Sequence, residues 1–325
     1  MIITQTPLRI SFAGGGTDFK DFYKQGYGSV VSTAIDKYIY VIVKERFDNK
    51  IRVGYTKTEM VDSVDDIQHE LVRESMKMVG ITNGIEIATM ADIPSEGSGL
   101  GSSSTVTVGL LNALYAHKGE NVSAELLAKQ ACEIEIDILG KPIGKQDQYI
   151  AAYGGLKHFS FYGNGDVFVK NIELDEVKRH QLSESLLLFY TGTTRKADDV
   201  LIKQKNNIEA TTHLLKEMRD IADNLAQSLI QGDICAIGEA LKIGWKKKKQ
   251  LAEGITNGTI DEMYELAMNA GAAGAKVTGA GGGGFFLICT PPENRSQVRE
   301  SLSHLRELPI GLSRDGSKII FNVRR

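Results

Sequence analysis

The sequence predicts an α+β protein in two domains, and three features lead there. The chain has 325 residues, a length that suits about two domains. Strand-like and helix-like patterns alternate along it without the regular rhythm of a doubly wound sheet. A polar stretch at 174–184 lies between two strand patterns. It marks the expected boundary, with residues 1–178 as an N-terminal domain and 179–325 as a C-terminal one.

Ile2 to Ala13 reads as two short strands broken at Pro7, and Gly14-Gly15-Gly16 follows as a sharp loop. Val30-Val31, Tyr38 to Lys44 and Ile51 to Val53 are rich in β-branched and aromatic residues, as strands are. Asp65 to Val79 places Ile67, Leu71, Met78 and Val79 at loose helical spacing. Gly84 to Met90 alternates like a half-buried strand. A glycine–serine loop at 95–104 leads into helices at about 105–117 and 123–138, and strands at about 155–161 and 166–172 close this half. Leu186 to Tyr190 is an apolar run ended by Thr191-Gly192, which suits a buried strand. Helical patterns cover about 196–231, 233–252 and Asp261 to Ala270. Strands at 284–289 and 318–323 flank a helix at 294–306.

Composition narrows the function classes. Apolar residues make up 42% and charged residues 24%, as in soluble globular proteins. A chain of this length buries a sizeable core without disulfides or metals. The net charge of −3 supplies no basic excess that calls for nucleic acid. Cys132, Cys235 and Cys289 are odd in number and far apart, so they suggest neither a disulfide framework nor a zinc site. Each reads as a small buried hydrophobe in a reducing cytosol. Residues 1–7 lack the charged and apolar regions of a signal peptide, and no apolar run approaches a membrane span. A cytoplasmic protein with no membrane partner is expected. The six histidines are scattered without metal-ligand spacing.

Four segments carry chemistry. The first in strength follows a strand and opens a helix: Gly97, Ser98, Gly99, Leu100, Gly101, Ser102, Ser103 and Ser104. Three glycines let the backbone approach an anion closely, and a helix start offers free N–H groups and partial positive charge. Together they form a phosphate cradle, to which serine hydroxyls add hydrogen bonds or a magnesium ligand. A flexible Gly/Ser linker fits less well, because a patterned helix starts at once. The glycine spacing matches neither a Walker loop nor a Rossmann fingerprint. The second segment, Gly140 to Gln148, follows a helix that holds Glu133 and Glu135. Asp147 could orient or deprotonate an attacking hydroxyl, but taken alone it also fits a helix cap. The third, Lys276 to Phe286, has five glycines within 279–284. That density implies close backbone packing against a ligand or another loop, and equally fits a structural turn. The fourth delivers Arg9 from a strand and Asp18 from the glycine turn.

Taken in chain order, the segments resemble the motifs of the GHMP kinases. Pro7 through Asp18 is similar to the first family motif, Pro94 to Ser104 to the second, and Lys276 to Phe286 to the third. The resemblance spans residues 4–290. It implies an N-terminal domain with a left-handed βαβ unit, a ferredoxin-like C-terminal domain, and an active site in the cleft between them. It further implies ATP and Mg2+ as cofactors, Asp147 as the catalytic carboxylate and Arg9 as the cation facing it. Ser103 and Glu135 would be the magnesium ligands, Glu135 standing twelve residues before Asp147. Asp18 would hydrogen-bond sugar hydroxyls, with Gly15, Gly16, Thr17, Gly281 and Gly282 around the substrate.

Galactokinases carry Glu-His where this chain has Gly15-Gly16, so galactose is disfavoured. The Gly-Gly-Gly-Thr-Asp form resembles the heptose 7-phosphate 1-kinases and the bacterial fucokinase domains. The first subgroup implies phosphorylation of the anomeric hydroxyl of D-glycero-α-D-manno-heptose 7-phosphate to the 1,7-bisphosphate, towards GDP-heptose. The second implies a fucokinase-like or other hexose 1-kinase. A catalytically inactive sugar- or nucleotide-binding homologue is the alternative of another class, and intact Arg9, Ser103, Glu135 and Asp147 argue against it. A homodimer is compatible with the sequence. A phosphorylated substrate needs cations, and Arg195 and Lys196 follow a glycine turn at an expected helix start. They fit a second phosphate site and equally fit solvated helix residues. Lys246 to Lys249, beside Trp245, reads as a solvated helix face.

Overall fold

The computed structural model describes residues 1–93, 97–193 and 197–323. The chain begins β1 (Ile2–Ala13), α1 (Lys20–Tyr23), β2 (Tyr27–Glu45), β3 (Ile51–Gly54), β4 (Thr58–Val61), α2 (Glu70–Val79) and β5 (Ile85–Ala91). It continues α3 (Ser102–Lys118), α4 (Ala124–Cys132), a π-helical turn (Glu133–Ile138), α5 (Gln146–Tyr153), β6 (Leu156–Tyr162) and β7 (Val167–Asn171). Then come α6 (Glu176–Ser185), β8 (Leu186–Tyr190), α7 (Ala197–Asn206), α8 (Thr212–Ile230), α9 (Ala236–Lys248) and α10 (Gly258–Asn269). The last elements are β9 (Gly274–Val277), β10 (Phe285–Cys289), α11 (Arg295–Ser301), β11 (Arg306–Glu307) and β12 (Lys318–Asn322).

The first sheet runs β12-β1-β2-β5-β3-β4, and β6 and β7 extend it from the other end of β2. β2 is one 19-residue strand, where the sequence suggests two. Its first part pairs β6 through Tyr27–Thr33, and its last part pairs β5 through Ile39–Glu45. β3 and β5 are parallel neighbours with α2 in the connection, which is the βαβ unit. β1 also runs unbroken through Pro7. Its ladder to β2 slips between Pro7 and Arg9, and its ladder to β12 ends at Gln5. The proline's missing donor is absorbed at an irregularity. The second sheet has the order β11-β8-β10-β9 with antiparallel neighbours. In chain order that is strand, helices, strand, strand, helix, strand, the ferredoxin-like arrangement.

Several local expectations shift. The polar stretch at 174–184 is helical: Asp175 accepts from the Lys178 amide at 2.8 Å and caps α6, which buries Leu182. The pattern over 196–231 divides into α7 and α8. β9 is four residues of mostly small side chains, too short to show a period. Cys132 and Cys289 are buried, but Cys235 is exposed where α9 begins. No helix among the described residues is long and apolar enough to cross a membrane.

Alternation along β1 sets up the site. Leu8, Ile10 and Phe12 enter a core shared with Leu188, Leu225, Leu229, Leu241 and Leu287 of the second half. Arg9 and Ser11 point the other way and line a cleft. Helix α3 lies against β1 and β2, and Gly109 lets it approach. A Cβ there would sit 2.9 Å from Thr6 Oγ1 and 3.1 Å from Val41 Cγ2, while Thr4 Oγ1 donates to Gly109 O at 3.0 Å. Gly109→Val is therefore expected to overpack this contact and lower the unfolding free energy by about 1–3 kcal/mol. Urea unfolding checks it, and a midpoint equal to wild type with the same slope refutes the close approach.

Candidate active site

The phosphate-cradle segment forms a tight loop ahead of α3. Gly97, Gly99 and Gly101 have φ of 67°, 71° and 79°, the left-handed region that favours glycine. Gly101 is the N-cap of α3, so Ser102, Ser103 and Ser104 supply the first helical turn. Ser98 Oγ lies 3.0 Å from Ser102 Oγ and accepts from the Leu100 amide at 3.3 Å. Leu100 anchors the loop in the shared core.

The other glycine-rich segment walls this loop. A Cβ at Gly99 would lie 2.7 Å from Thr278 O, one at Gly279 2.6 Å from Gly99 Cα, and one at Gly284 2.6 Å from Ser98 O. The glycines of 279–284 thus serve loop-on-loop packing. Gly281 and Gly282, expected at the substrate, are buried away from the cleft. The Gly282 amide donates to Ile255 O at 2.8 Å, and a Cβ on Gly281 would lie 2.7 Å from that oxygen. Gly279 and Ala280 line the cleft in their place.

Arg9 and Asp147 meet in a two-pronged ion pair on the cleft wall. Arg9 Nε donates to Asp147 Oδ1 at 2.7 Å and Nη2 to Oδ2 at 2.6 Å. Nη1 donates to Gly99 O at 2.6 Å, and the Arg9 amide to Leu100 O at 3.1 Å. The Arg9 side chain is 5% exposed and that of Asp147 is 24% exposed, so the carboxylate keeps a face towards the cleft. Asp18 is buried beside them. Its Oδ1 accepts from the Gly16 amide at 3.0 Å and its Oδ2 from the Gln146 amide at 3.1 Å. Burial pushes its carboxyl above the usual range, and the Asp147 charge adds to that. Gly144 must lack a side chain because the Asp18 carboxylate occupies that space. Gly15 and Gly16 line the cleft. Thr17 does not: it is fully buried, accepts from the Ser29 amide at 2.9 Å, and stands 2.8 Å from both Gly14 O and Ser29 O. It holds the glycine turn on β2. Arg195 and Lys196 lie outside the described residues.

Known proteins resemble this chain in sequence and fold. The family model described as GHMP kinases N terminal domain matches residues 67–155, and that described as GHMP kinases C terminal matches 225–306. The D-glycero-alpha-D-manno-heptose 7-phosphate kinase of Campylobacter jejuni is 30% identical over 318 residues, 93% of each chain. The chain belongs to the GHMP kinases. A crystal structure of a D-glycero-D-manno-heptose 1-phosphate kinase from Bacteroides thetaiotaomicron superposes with a TM-score of 0.83 at 24% identity over 100% of both chains. A putative sugar kinase of Campylobacter jejuni superposes at 0.77 with 27% identity, over 98% of this chain and 97% of its own. This GHMP kinase is an ATP-dependent phosphotransferase acting on a sugar.

GHMP kinases use ATP, generally with Mg2+, and the residues present fit that ion. Glu135 is fully buried on the π-helical turn. Its Oε2 accepts from Ser104 Oγ at 2.6 Å and from Gln148 Nε2, and its Oε1 from Thr107 Oγ1 at 3.0 Å. Burial pushes its carboxyl up, against the hydrogen bonds of Ser104, Gln148, Thr107 and Ser103. Beside it, the buried Gln148 Oε1 has no hydrogen-bond partner among the described residues. A buried carboxylate, an orphaned amide oxygen and the exposed Ser103 hydroxyl form an all-oxygen set suited to a hard cation. No group of three His, Cys, Asp or Glu side chains that could hold a metal occurs among the described residues. Mg2+ commonly takes one or two carboxylates and completes its shell with water and substrate phosphates.

Three polar cleft residues with no role assigned from the sequence stand out. Gln204 of α7 is buried against Gly16. Lys276 of β9 is buried and donates to Ser11 O at 2.9 Å. Lys248 was expected on a solvated face, yet it is buried in the cleft and donates to Gly279 O. The available signal was helical spacing: Leu241, Trp245 and Lys248 recur at i, i+4 and i+7, and all are buried. Burial, with Arg9 nearby, pulls the Lys248 ammonium down to about 8. Between that value and the ordinary 10.5, the unfolded chain holds a proton the folded chain has lost, so stability rises with pH. Lys248→Met is expected to raise the unfolding free energy by roughly 3 kcal/mol at pH 7 and by less than about 1 at pH 10. Urea titrations at both pH values measure this, and a gain that does not shrink shows that the buried charge carries no such penalty.

Proposed function

We propose that this GHMP kinase transfers the γ-phosphoryl group of ATP to the anomeric hydroxyl of D-glycero-α-D-manno-heptose 7-phosphate, giving the 1,7-bisphosphate. The observation that carries the mechanism is the Arg9–Asp147 pair, held by Gly99 and Leu100 of the loop that opens α3. Residues Gly97 to Ser104 cradle the phosphates of ATP with amides and the positive end of α3. Arg9 faces the charge that spreads over the transferred group. Asp147 turns its open face to the acceptor hydroxyl, accepts its hydrogen bond and draws off its proton as the new bond forms. Asp18, fixed by the amides of Gly16 and Gln146, bounds the sugar side with Gly15 and Gly16. Glu135 and Ser103 would hold Mg2+, which neutralises phosphate charge when bound.

The sugar assignment draws support from the Campylobacter relative, whose name is that of a heptose 7-phosphate kinase, and from Gly15-Gly16 in the turn. A fucokinase-like reading is second. The bifunctional fucokinase/GDP-fucose pyrophosphorylase of Arabidopsis thaliana is 23% identical over 94% of this chain, which spans 31% of that protein. ATP consumption over heptose 7-phosphate, fucose, mannose and galactose, with phosphorus NMR of the product, decides. The expected outcome is a new anomeric phosphate on heptose 7-phosphate, and a higher kcat/KM on fucose replaces this reading with the second.

Asp147→Asn keeps the shape of the side chain but cannot take a proton. It is expected to lower kcat by ~10²–10⁴-fold while ATP binding by calorimetry stays within about threefold. Turnover within threefold of wild type sinks the role. Ser103→Ala and Glu135→Gln are each expected to shift the activity-versus-magnesium curve to higher concentration. Curves that overlay wild type remove both residues from the metal site.

A further inference from the structure

Two lysines in the cleft have no place in the transfer step above. Lys248 is 5% exposed and Lys276 is 6% exposed. Each ammonium carries three donors, and one of each meets a carbonyl, Gly279 O for Lys248 and Ser11 O for Lys276. Among the described residues neither forms an ion pair. The nearby carboxylates are already engaged, Asp147 by Arg9 and Asp18 by two amides. Three buried cations therefore face two occupied acids. Buried charge of one sign is costly without a partner, and burial with repulsion from Arg9 pulls both ammonium groups below their ordinary value.

Two further donors nearby lack acceptors. Ser11 Oγ is buried and unpartnered among the described residues, in the cleft wall with both lysines. Trp245 Nε1 is also buried and unpartnered there, and its ring lines a second recess that both lysines also line, with Phe12, Met218 and Ile221. Four donor groups without enough acceptors call for a ligand made of acceptors. A phosphate offers only oxygen acceptors and negative charge. Residues 97–104 line neither cavity, so the lysines stand apart from the cradle expected to hold ATP.

We propose that Lys248 and Lys276, with Ser11 beside them, form an anion site that takes the phosphate group already carried by the acceptor sugar. This rests on the reading above that the acceptor is a sugar phosphate. The other phosphate in the reaction is the transferred group of ATP, and kinetics separates the two. For wild type, Lys248→Met and Lys276→Met, KM is measured for heptose 7-phosphate, for unphosphorylated heptose and for ATP. Loss of a charge-assisted contact is expected to raise KM for heptose 7-phosphate roughly ten- to a hundredfold, with KM for ATP within about threefold. A rise in the ATP value instead assigns the lysines to the transferred group and overturns the proposal. An equal rise for heptose and its phosphate overturns it as well. Should wild type fail to phosphorylate heptose 7-phosphate, the proposed function falls, and inorganic phosphate then reads the site separately. Melting-temperature stabilisation by phosphate that is present in wild type and lost in Lys248→Met supports the site, and its absence in wild type removes it. Ser11→Ala, a small change at the same wall, gives the same kinetic readout should Lys276→Met not fold.

Discussion

Every nitrogen of the Arg9 guanidinium is committed. Two bind Asp147 and the third binds Gly99 O. That one side chain joins a strand, a glycine loop and a helix that stands 138 residues away in the chain. A pair this buried stabilises little on net, because desolvation offsets the attraction, yet loss of either partner strands a charge. The constraint passes outward. β1 must present Arg9 to the cleft, so its alternate residues must fill the shared core. The loop before α3 must bring Gly99 O to the guanidinium, so it folds through three left-handed glycines.

The glycine loops follow from the same geometry. The loop at 97–101 is held on one side by Arg9 and on the other by residues 278–284. Backbone approaches at this range leave no room for a Cβ, and positive φ disfavours one in any case. Density of glycine therefore marks where two chains of backbone touch, as well as where an anion approaches. The second motif shows the packing kind at Gly99 and is the one proposed to meet an anion, while the third is chiefly of the packing kind.

Electrostatically the cleft is incomplete without ligands. Glu135 is a buried carboxylate beside an orphaned amide oxygen, on the side where a cation fits. Lys248 and Lys276 are buried cations beside orphaned donors, on the side where an anion fits. Asp147, with its charge already partnered, stands in the same cleft as the lysines. Such preorganised charge disfavours the empty protein and favours the loaded one, which is how fixed dipoles and ions gain differential binding.

The sequence by itself determined what is local. Glycines before a patterned helix, the strand-like stretch that delivers Arg9, and the order of the motifs were all legible, because backbone preference acts over a few residues. From them came the expected cradle and the two-domain α+β fold, while the pairing of Arg9 with Asp147 came only from the resemblance of the motifs to those of the GHMP kinases. The tertiary structure decided the rest. Nothing in the letters of Thr17, Gly281 or Gly282 told a substrate contact from a packing contact, since each depends on what approaches from a distant segment. Lys248 shows the reason most clearly: a lysine in a run of four has the same local chemistry as its neighbours, and only the helix face that docks on β9 buries that one charge.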